Sequence, residues 1–180
     1  MAAVAGTLTR VTLLEHAETV AARLPIPARR RVFRVGYFAL QGWWMLRRPH
    51  TSGVKVVVRR GDDVLLVRHT YGRRAEWDLP GGFINEGETP QDAVLRELEE
   101  EVGLQASRPV ALGAILLRTS GRRDTVHCFA ADAGGDDSAL VVDEGEIAQA
   151  HWFAHDALPS ETTLYTRRMV ARAYWEMFES

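Results

Sequence analysis

Residues 82–104 read GFINEGETPQDAVLRELEEEVGL, and the spacing inside them constrains this chain more than any other segment. Gly82, Glu88, Arg96, Glu97, Leu98, Glu100, Glu101, Gly103 and Leu104 follow the pattern G-x5-E-x7-R-E-U-x-E-E-x-G-U, where U is a bulky aliphatic residue. Thr89 suits the N-cap of a helix, Pro90 its first position, and Asp92 the completion of a capping box. Gly103 supplies the C′ stop. The punctuation predicts a helix over 90–102.

On that helix Glu97, Glu100 and Glu101 fall at i, i+3 and i+4, so their carboxylates leave from one face. Ala93, Val94, Leu98 and Val102 form a neighbouring apolar face that can dock on a sheet. A generic acidic run is a solvated surface. Here the like charges repel one another and oppose the helix dipole near its C-terminus. A bound cation would reverse both penalties, and hard oxygen donors select Mg²⁺ or Mn²⁺.

The spacing matches the signature of the Nudix hydrolases without departure, and over these 23 residues the chain resembles that family. The resemblance implies that Glu97, Glu100 and Glu101 are metal ligands and that Gly81 offers a backbone carbonyl to the same metal. It implies that Arg96 holds and orients the acidic side chains, with Glu88 as partner. The implied reaction is metal-dependent hydrolysis of a nucleoside diphosphate linked to a further group. In it the metal neutralises the diphosphate and lowers the pKa of a water, and a carboxylate deprotonates that water. Glu100 and Glu101 are candidates for the base, as are Glu144 and Glu146 outside the motif, of which Glu146 is slightly preferred. An ordinary loop acid is an equal reading of either.

Arg68, Arg73 and Arg74 are candidate phosphate contacts, with His69, Arg122 and Arg123. Trp77 and Tyr71 could stack on a base, although Trp77 could equally pack against Leu79-Pro80-Gly81-Gly82. For any one of these arginines, solvated surface is an ordinary fate. The window Thr119-Ser120-Gly121-Arg122 lacks the proline of ADP-ribose hydrolases and the tyrosine of dinucleoside polyphosphate hydrolases, and the NADH and coenzyme A motifs are missing. The substrate stays open. A second reading is a nucleotide-sugar sensor of the same fold without turnover, but such modules usually lose a motif carboxylate and this chain keeps all of them. An isomerase of the same fold would need a catalytic cysteine. The single cysteine, Cys128, lies in an apolar run and reads as a buried strand residue.

Around the motif the pattern is that of an α+β domain, with a mixed sheet sandwiched between helices and an N-terminal helical extension. Strands are predicted at 54–60, 64–69, 111–118, 124–131 and 150–153, the first two joined through Gly61-Asp62-Asp63. An amphipathic helix is expected over about 161–178. A Pro/Gly/Ser cluster at 48–53 predicts a boundary between a 1–50 extension and a 52–180 domain.

The extension has a balance of +6 over residues 1–50, against −8 for the rest of the chain. It shows a weak helical period over 8–24. Beyond that, Arg29-Arg30-Arg31 and Arg47-Arg48 bracket an apolar stretch, Val32 to Leu46, with Phe33, Tyr37, Phe38, Trp43 and Trp44 inside. Fifteen residues are too few for the roughly 20 that cross a bilayer. The favoured reading is a helix packed on the domain or in a homodimer interface; the alternative is peripheral contact of 29–48 with anionic lipid. The net charge of −2 gives no general affinity for nucleic acid, and the start of the chain does not read as a secretory signal. A cytoplasmic protein acting on small nucleotides is the expectation.

Overall fold

The computed structural model describes residues 25–47, 50–71, 75–119, 122–134 and 140–175. The helix anticipated at 8–24, Arg73 and Arg74 lie outside them. In chain order the elements are α1 (Ile26–Arg47), β1 (His50–Arg60), β2 (Asp63–His69), α2 (Pro90–Val102), β3 (Val110–Thr119), β4 (Arg122–Asp132), β5 (Ile147–Ala154) and α3 (Leu164–Trp175). The five strands form one mixed sheet in the order β3-β4-β1-β2-β5. β1 runs parallel to β4, and the other neighbouring pairs are antiparallel.

Alternation along β1 divides the interior into two layers. Val54, Val56 and Val58 pack with Ala93, Val94, Leu98 and Val102 of α2, while Val57 packs with Val170, Ala173 and Tyr174 of α3. The four α2 residues are wholly buried, each worth about 1.5–3 kcal/mol for the larger side chains. The sheet is thus covered on both faces, as the sequence pattern implied.

Several boundaries differ from expectation. β1 begins at His50, inside the supposed linker, because parallel pairing with β4 from His50↔Arg123 onward recruits it. Asp63 pairs with Arg60, which shortens the β1–β2 turn to Gly61-Asp62. β5 is longer than the predicted 150–153, since its pairing with β2 extends from Ile147 to Ala154. α3 starts at Leu164 rather than near 161, because the Thr163 hydroxyl caps it by accepting the Thr166 N–H at 3.1 Å. α1 spans Ile26–Arg47. No helix among the described residues is long and apolar enough to cross a membrane. The side chains of Phe33, Tyr37, Phe38, Trp43 and Trp44 lie outside the described set.

Lys55 is a charged residue at an inward position of β1, and no motif in the sequence marks it. Its Nζ donates to the Leu79 carbonyl at 2.6 Å and pairs with Asp78 Oδ2 at 3.0 Å. Asp78 also accepts the Leu79 N–H at 2.8 Å and the Thr166 hydroxyl of α3 at 2.7 Å. Burial works against both charges. The pair nonetheless holds the Lys55 pKa above and the Asp78 pKa below their usual values, Asp78 acting on Lys55 and Lys55 on Asp78. This largely buried pair ties β1, α3 and the 78–82 loop together. Lys55→Met is therefore expected to cost about 3–5 kcal/mol, because it strands the Asp78 charge. Lys55→Met/Asp78→Asn should recover part of that loss. Urea unfolding of the single and double variants checks this; a single variant within 1 kcal/mol of wild type, a loss well below the range for a broken buried pair, would refute it.

Candidate active site

α2 carries the motif carboxylates, and its ends are set as the sequence requires. The Thr89 hydroxyl accepts the Asp92 N–H at 3.2 Å and itself engages Asp92 Oδ2 at 2.6 Å. Gly103 adopts the left-handed conformation, φ 66°, and its N–H returns to the last turn of the helix.

The loop before α2 lies against β1. Val56 N–H donates to the Pro80 carbonyl at 3.1 Å and Val54 N–H to the Gly82 carbonyl at 2.9 Å. The intervening Gly81 carbonyl makes no backbone bond among the described residues. Two glycines are needed here. Gly81 has φ +132°, and a Cβ there would sit 2.3 Å from the Val54 carbonyl oxygen. A Cβ on Gly82 would sit 2.5 Å from a carboxylate oxygen of Glu97. The Gly81 N–H donates to Glu101 Oε2 at 2.9 Å.

Arg96 organises the outer part of the cluster. It forms a two-pronged contact with Glu88, Nε to Oε1 at 2.8 Å and Nη2 to Oε2 at 3.0 Å. Nη1 donates to Glu97 at 2.8 Å and to Glu100 at 2.9 Å, and Nη2 also donates to the Phe83 carbonyl at 2.8 Å. Every arm of the guanidinium is engaged, first by Glu88, and its pKa is raised further above its usual range. The predicted Arg96–Glu88 partnership is present.

The inner part is less compensated. Glu101 is 4% exposed, and burial pushes its pKa up to about 8. Burial likewise raises Glu97, against the pull of Arg96. Among the described residues the basic group in ion-pair range of Glu101 is His69, with Nδ1 at 4.0 Å. That imidazole brings no charge near neutral pH, because burial and then Lys55 hold its pKa down to about 4. Its Nδ1 is buried without a hydrogen-bond partner among the described residues. Glu146 comes to the same area. Its Oε2 accepts the Tyr71 hydroxyl at 3.4 Å, and its charge acts on Glu101. Tyr71 is held above its usual pKa, first by burial and then by Glu146. Glu144 is exposed, and its backbone carbonyl accepts Arg30 Nε at 2.9 Å.

The donor set fits a hard divalent cation: buried carboxylates on Glu97 and Glu101, the uncommitted Gly81 carbonyl, and a glycine cradle at Gly82 that any side chain would fill. No ready-made cage of three acidic or imidazole groups occurs among the described residues. Glu97 and Glu100 are instead both drawn to Arg96, and the Glu100 side chain is 59% exposed.

Of the proposed substrate contacts, Arg68 and Trp77 are not brought to the carboxylates. Arg68 alternates with Val67 and so points to the α3 face of the sheet, where its guanidinium lies 4.4 Å from the Trp77 ring centroid. Trp77 is 6% exposed and packs edge-on to Phe153 at 4.9 Å, the packing alternative of the sequence reading. Tyr71 and His69 are the aromatic groups beside the carboxylates, with ring centroids 5.4 Å apart.

Glu101→Gln puts a neutral amide in place of a buried carboxyl that burial holds up to a pKa of about 8. In EDTA the variant is expected to melt no lower than wild type. Saturating Mg²⁺ or Mn²⁺ should stabilise wild type by about 2–4 kcal/mol, as for a ligand at 100 to 1,000 times its Kd, and the variant by much less. Thermal melts with and without the ion read both. An equal rise in the two proteins would remove Glu101 from the ligand set.

The chain is similar to several known proteins. The NAD-capped RNA hydrolase NudC of Escherichia coli O1:K1 / APEC is 32% identical over 111 residues, covering 58% of this chain and 39% of that protein. NudC of Klebsiella pneumoniae (strain 342) is 35% identical over 112 residues, with the same coverage. The chain thus spans about two fifths of the length of these curated relatives. Among solved structures, a MutT NUDIX hydrolase from Burkholderia pseudomallei aligns with a TM-score of 0.62 at 26% identity, over 69% of this chain and 98% of that one. A UDP-X diphosphatase aligns with a TM-score of 0.58 at 26% identity, over 72% and 64%. The NUDIX domain model matches residues 49–173, well over half of the sequence, and the chain belongs to the Nudix family.

Proposed function

We propose that this protein is a metal-dependent diphosphohydrolase, cleaving the pyrophosphate bond of a nucleoside diphosphate linked to another group. The observation that carries the reading is Glu101: a nearly fully buried carboxylate, bonded to the Gly81 N–H, beside Glu97 and within an intact motif. Glu97, Glu100, Glu101 and the Gly81 carbonyl would hold Mg²⁺ or Mn²⁺. When bound, the ion neutralises the diphosphate and makes a water more acidic.

The chain's own residues supply the rest. Arg96 keeps Glu97 and Glu100 side by side and ties them to Glu88 and the Phe83 carbonyl, so the part-buried Glu97 is oriented before substrate arrives. Release of Glu100 from Arg96 would let it join the ion. Glu146 is preferred as the group that takes the proton of the attacking water, because it lies near Glu101 without sharing its backbone bond. Tyr71 donates to Glu146 and holds its orientation. Tyr71 and His69, rather than Arg68 and Trp77, are the groups proposed to meet the substrate.

The relatives are named for NAD-capped RNA, and one structural neighbour is a UDP-X diphosphatase. An RNA-linked dinucleotide therefore joins the candidates, which widens the expectation of small nucleotides alone. The test is a screen with Mg²⁺ and Mn²⁺ across nucleotide sugars, ADP-ribose, NAD, NAD-capped RNA, dinucleoside polyphosphates, CDP-alcohols and oxidised nucleoside triphosphates. Metal-dependent release of a monophosphate product is expected from at least one. Glu100→Gln and Glu101→Gln are each expected to lower the rate by about 10²–10⁴ while circular dichroism stays native. Full activity in EDTA or in either variant would overturn the assigned roles. Ligand binding without turnover would favour a sensor.

A further inference from the structure

The loop ahead of β5, residues 143–146, is a junction. Asp143 N–H donates to the Glu101 carbonyl near the end of α2 at 3.0 Å. Glu146 and Ile147 N–H both donate to the Asp143 carbonyl, at 3.0 and 2.8 Å. From the end of β2, the Thr70 hydroxyl donates to the Gly145 carbonyl at 2.6 Å and the Thr70 N–H to the Glu146 carbonyl at 2.7 Å. Asp143 Oδ1 accepts the Gly145 N–H at 2.8 Å. These bonds fix the backbone that carries Glu146.

α1 closes on the same loop. The Arg29 guanidinium pairs with Asp143 Oδ2, with the two side chains 23% and 21% exposed. Arg30 Nε donates to the Glu144 carbonyl at 2.9 Å. A Cβ on Gly145 would lie 2.7 Å from Arg29 Nε and 2.9 Å from its Cδ, so the absence of a side chain there leaves the room that Arg29 occupies. α1 lies outside the residues 49–173 that match the family model. The contact therefore joins a helix outside the matched residues to a loop inside them.

We propose that α1 is a positioning element for the active site: Arg29 through Asp143, and Arg30 through the Glu144 carbonyl, hold the loop that sets Glu146 beside Glu101. The carboxylate of Asp143 is shared between the Arg29 guanidinium and the Gly145 N–H. Loss of Arg29 leaves it facing water and loosens the turn it caps. Misplacement of a reacting group by an ångström lowers a rate by up to a hundredfold. Arg29 and Asp143 touch neither substrate nor metal in this scheme; they act through Glu146. The inference rests on the role given to Glu146 above.

Two measurements on the full chain test it. Amide hydrogen exchange of Arg29→Ala is expected to speed up roughly tenfold or more at Gly145, Glu146 and Ile147, while the paired centre of β1 and β4 stays protected. Arg29→Lys keeps the charge but not the planar fork, and should fall between. On a substrate found in the screen, Arg29→Ala should lower kcat roughly tenfold with KM within about twofold. In a Glu146→Gln background it should lower kcat no further, because both act on one element. Unchanged exchange at 145–147 overturns the proposal whatever the activity. Faster exchange with unchanged kcat, or full additivity with Glu146→Gln, overturns its catalytic part. Absence of turnover by wild type would defeat the hydrolase reading alone, and the exchange result would still decide whether α1 holds the loop.

Discussion

An ionised carboxylate buried without compensation costs several kcal/mol, and the placement of Glu101 under that constraint organises this fold. One of its oxygens is bonded to the Gly81 N–H. That amide is where it is because Pro80 and Gly82 are bonded to β1, and because Lys55 holds the Leu79 carbonyl from below. Lys55 is in turn held by Asp78, which reaches α3 through Thr166. A chain of polar contacts thus runs from the far helix through the sheet to the carboxylate. Against burial, the charge of Lys55 and the Gly81 hydrogen bond still leave the carboxyl pKa up at about 8, and the neighbouring imidazole is uncharged near neutral pH. The deficit is the physical basis for assigning a cation.

The carboxylates divide into two populations. Glu88, Glu97 and Glu100 are gathered by one guanidinium, whereas Glu101 stands behind them. A planar fork with its donors committed in several directions is a rigid template, which an ammonium could not reproduce. The arrangement holds like charges together on one cation before any ion arrives, and it leaves the exposed Glu100 the easiest of them to move. In the positioning proposed for α1, two further arginines, Arg29 and Arg30 of that helix, act on Glu146 indirectly, through Asp143 and the Glu144 carbonyl of its loop.

The motif helix was legible to the residue, since Thr89, Pro90 and Gly103 act locally and their effects do not depend on the rest of the fold. The apolar face of α2 was legible for the same reason. Strand ends were less so. His50 to Gly53 look like a linker in isolation and become strand only because β4, some seventy residues away, pairs with them. The buried Lys55–Asp78 pair left one weak trace, a lysine at an inward position between Val54 and Val56. Arg68 and Trp77 misled because proximity in sequence to the motif does not fix the face of the sheet. Alternation along β2 sends Arg68 to the α3 side, whereas His69 lies beside Glu101.

Direct detection of the cation tests the central assignment. The electron paramagnetic resonance signal of free Mn²⁺, titrated with the full chain, should fall with saturable stoichiometry as the ion binds. Glu97→Gln/Glu101→Gln, folded by circular dichroism, should leave that signal essentially free at the same concentrations. Equal Mn²⁺ uptake by wild type and the double variant would contradict the placement of the metal at these buried carboxylates.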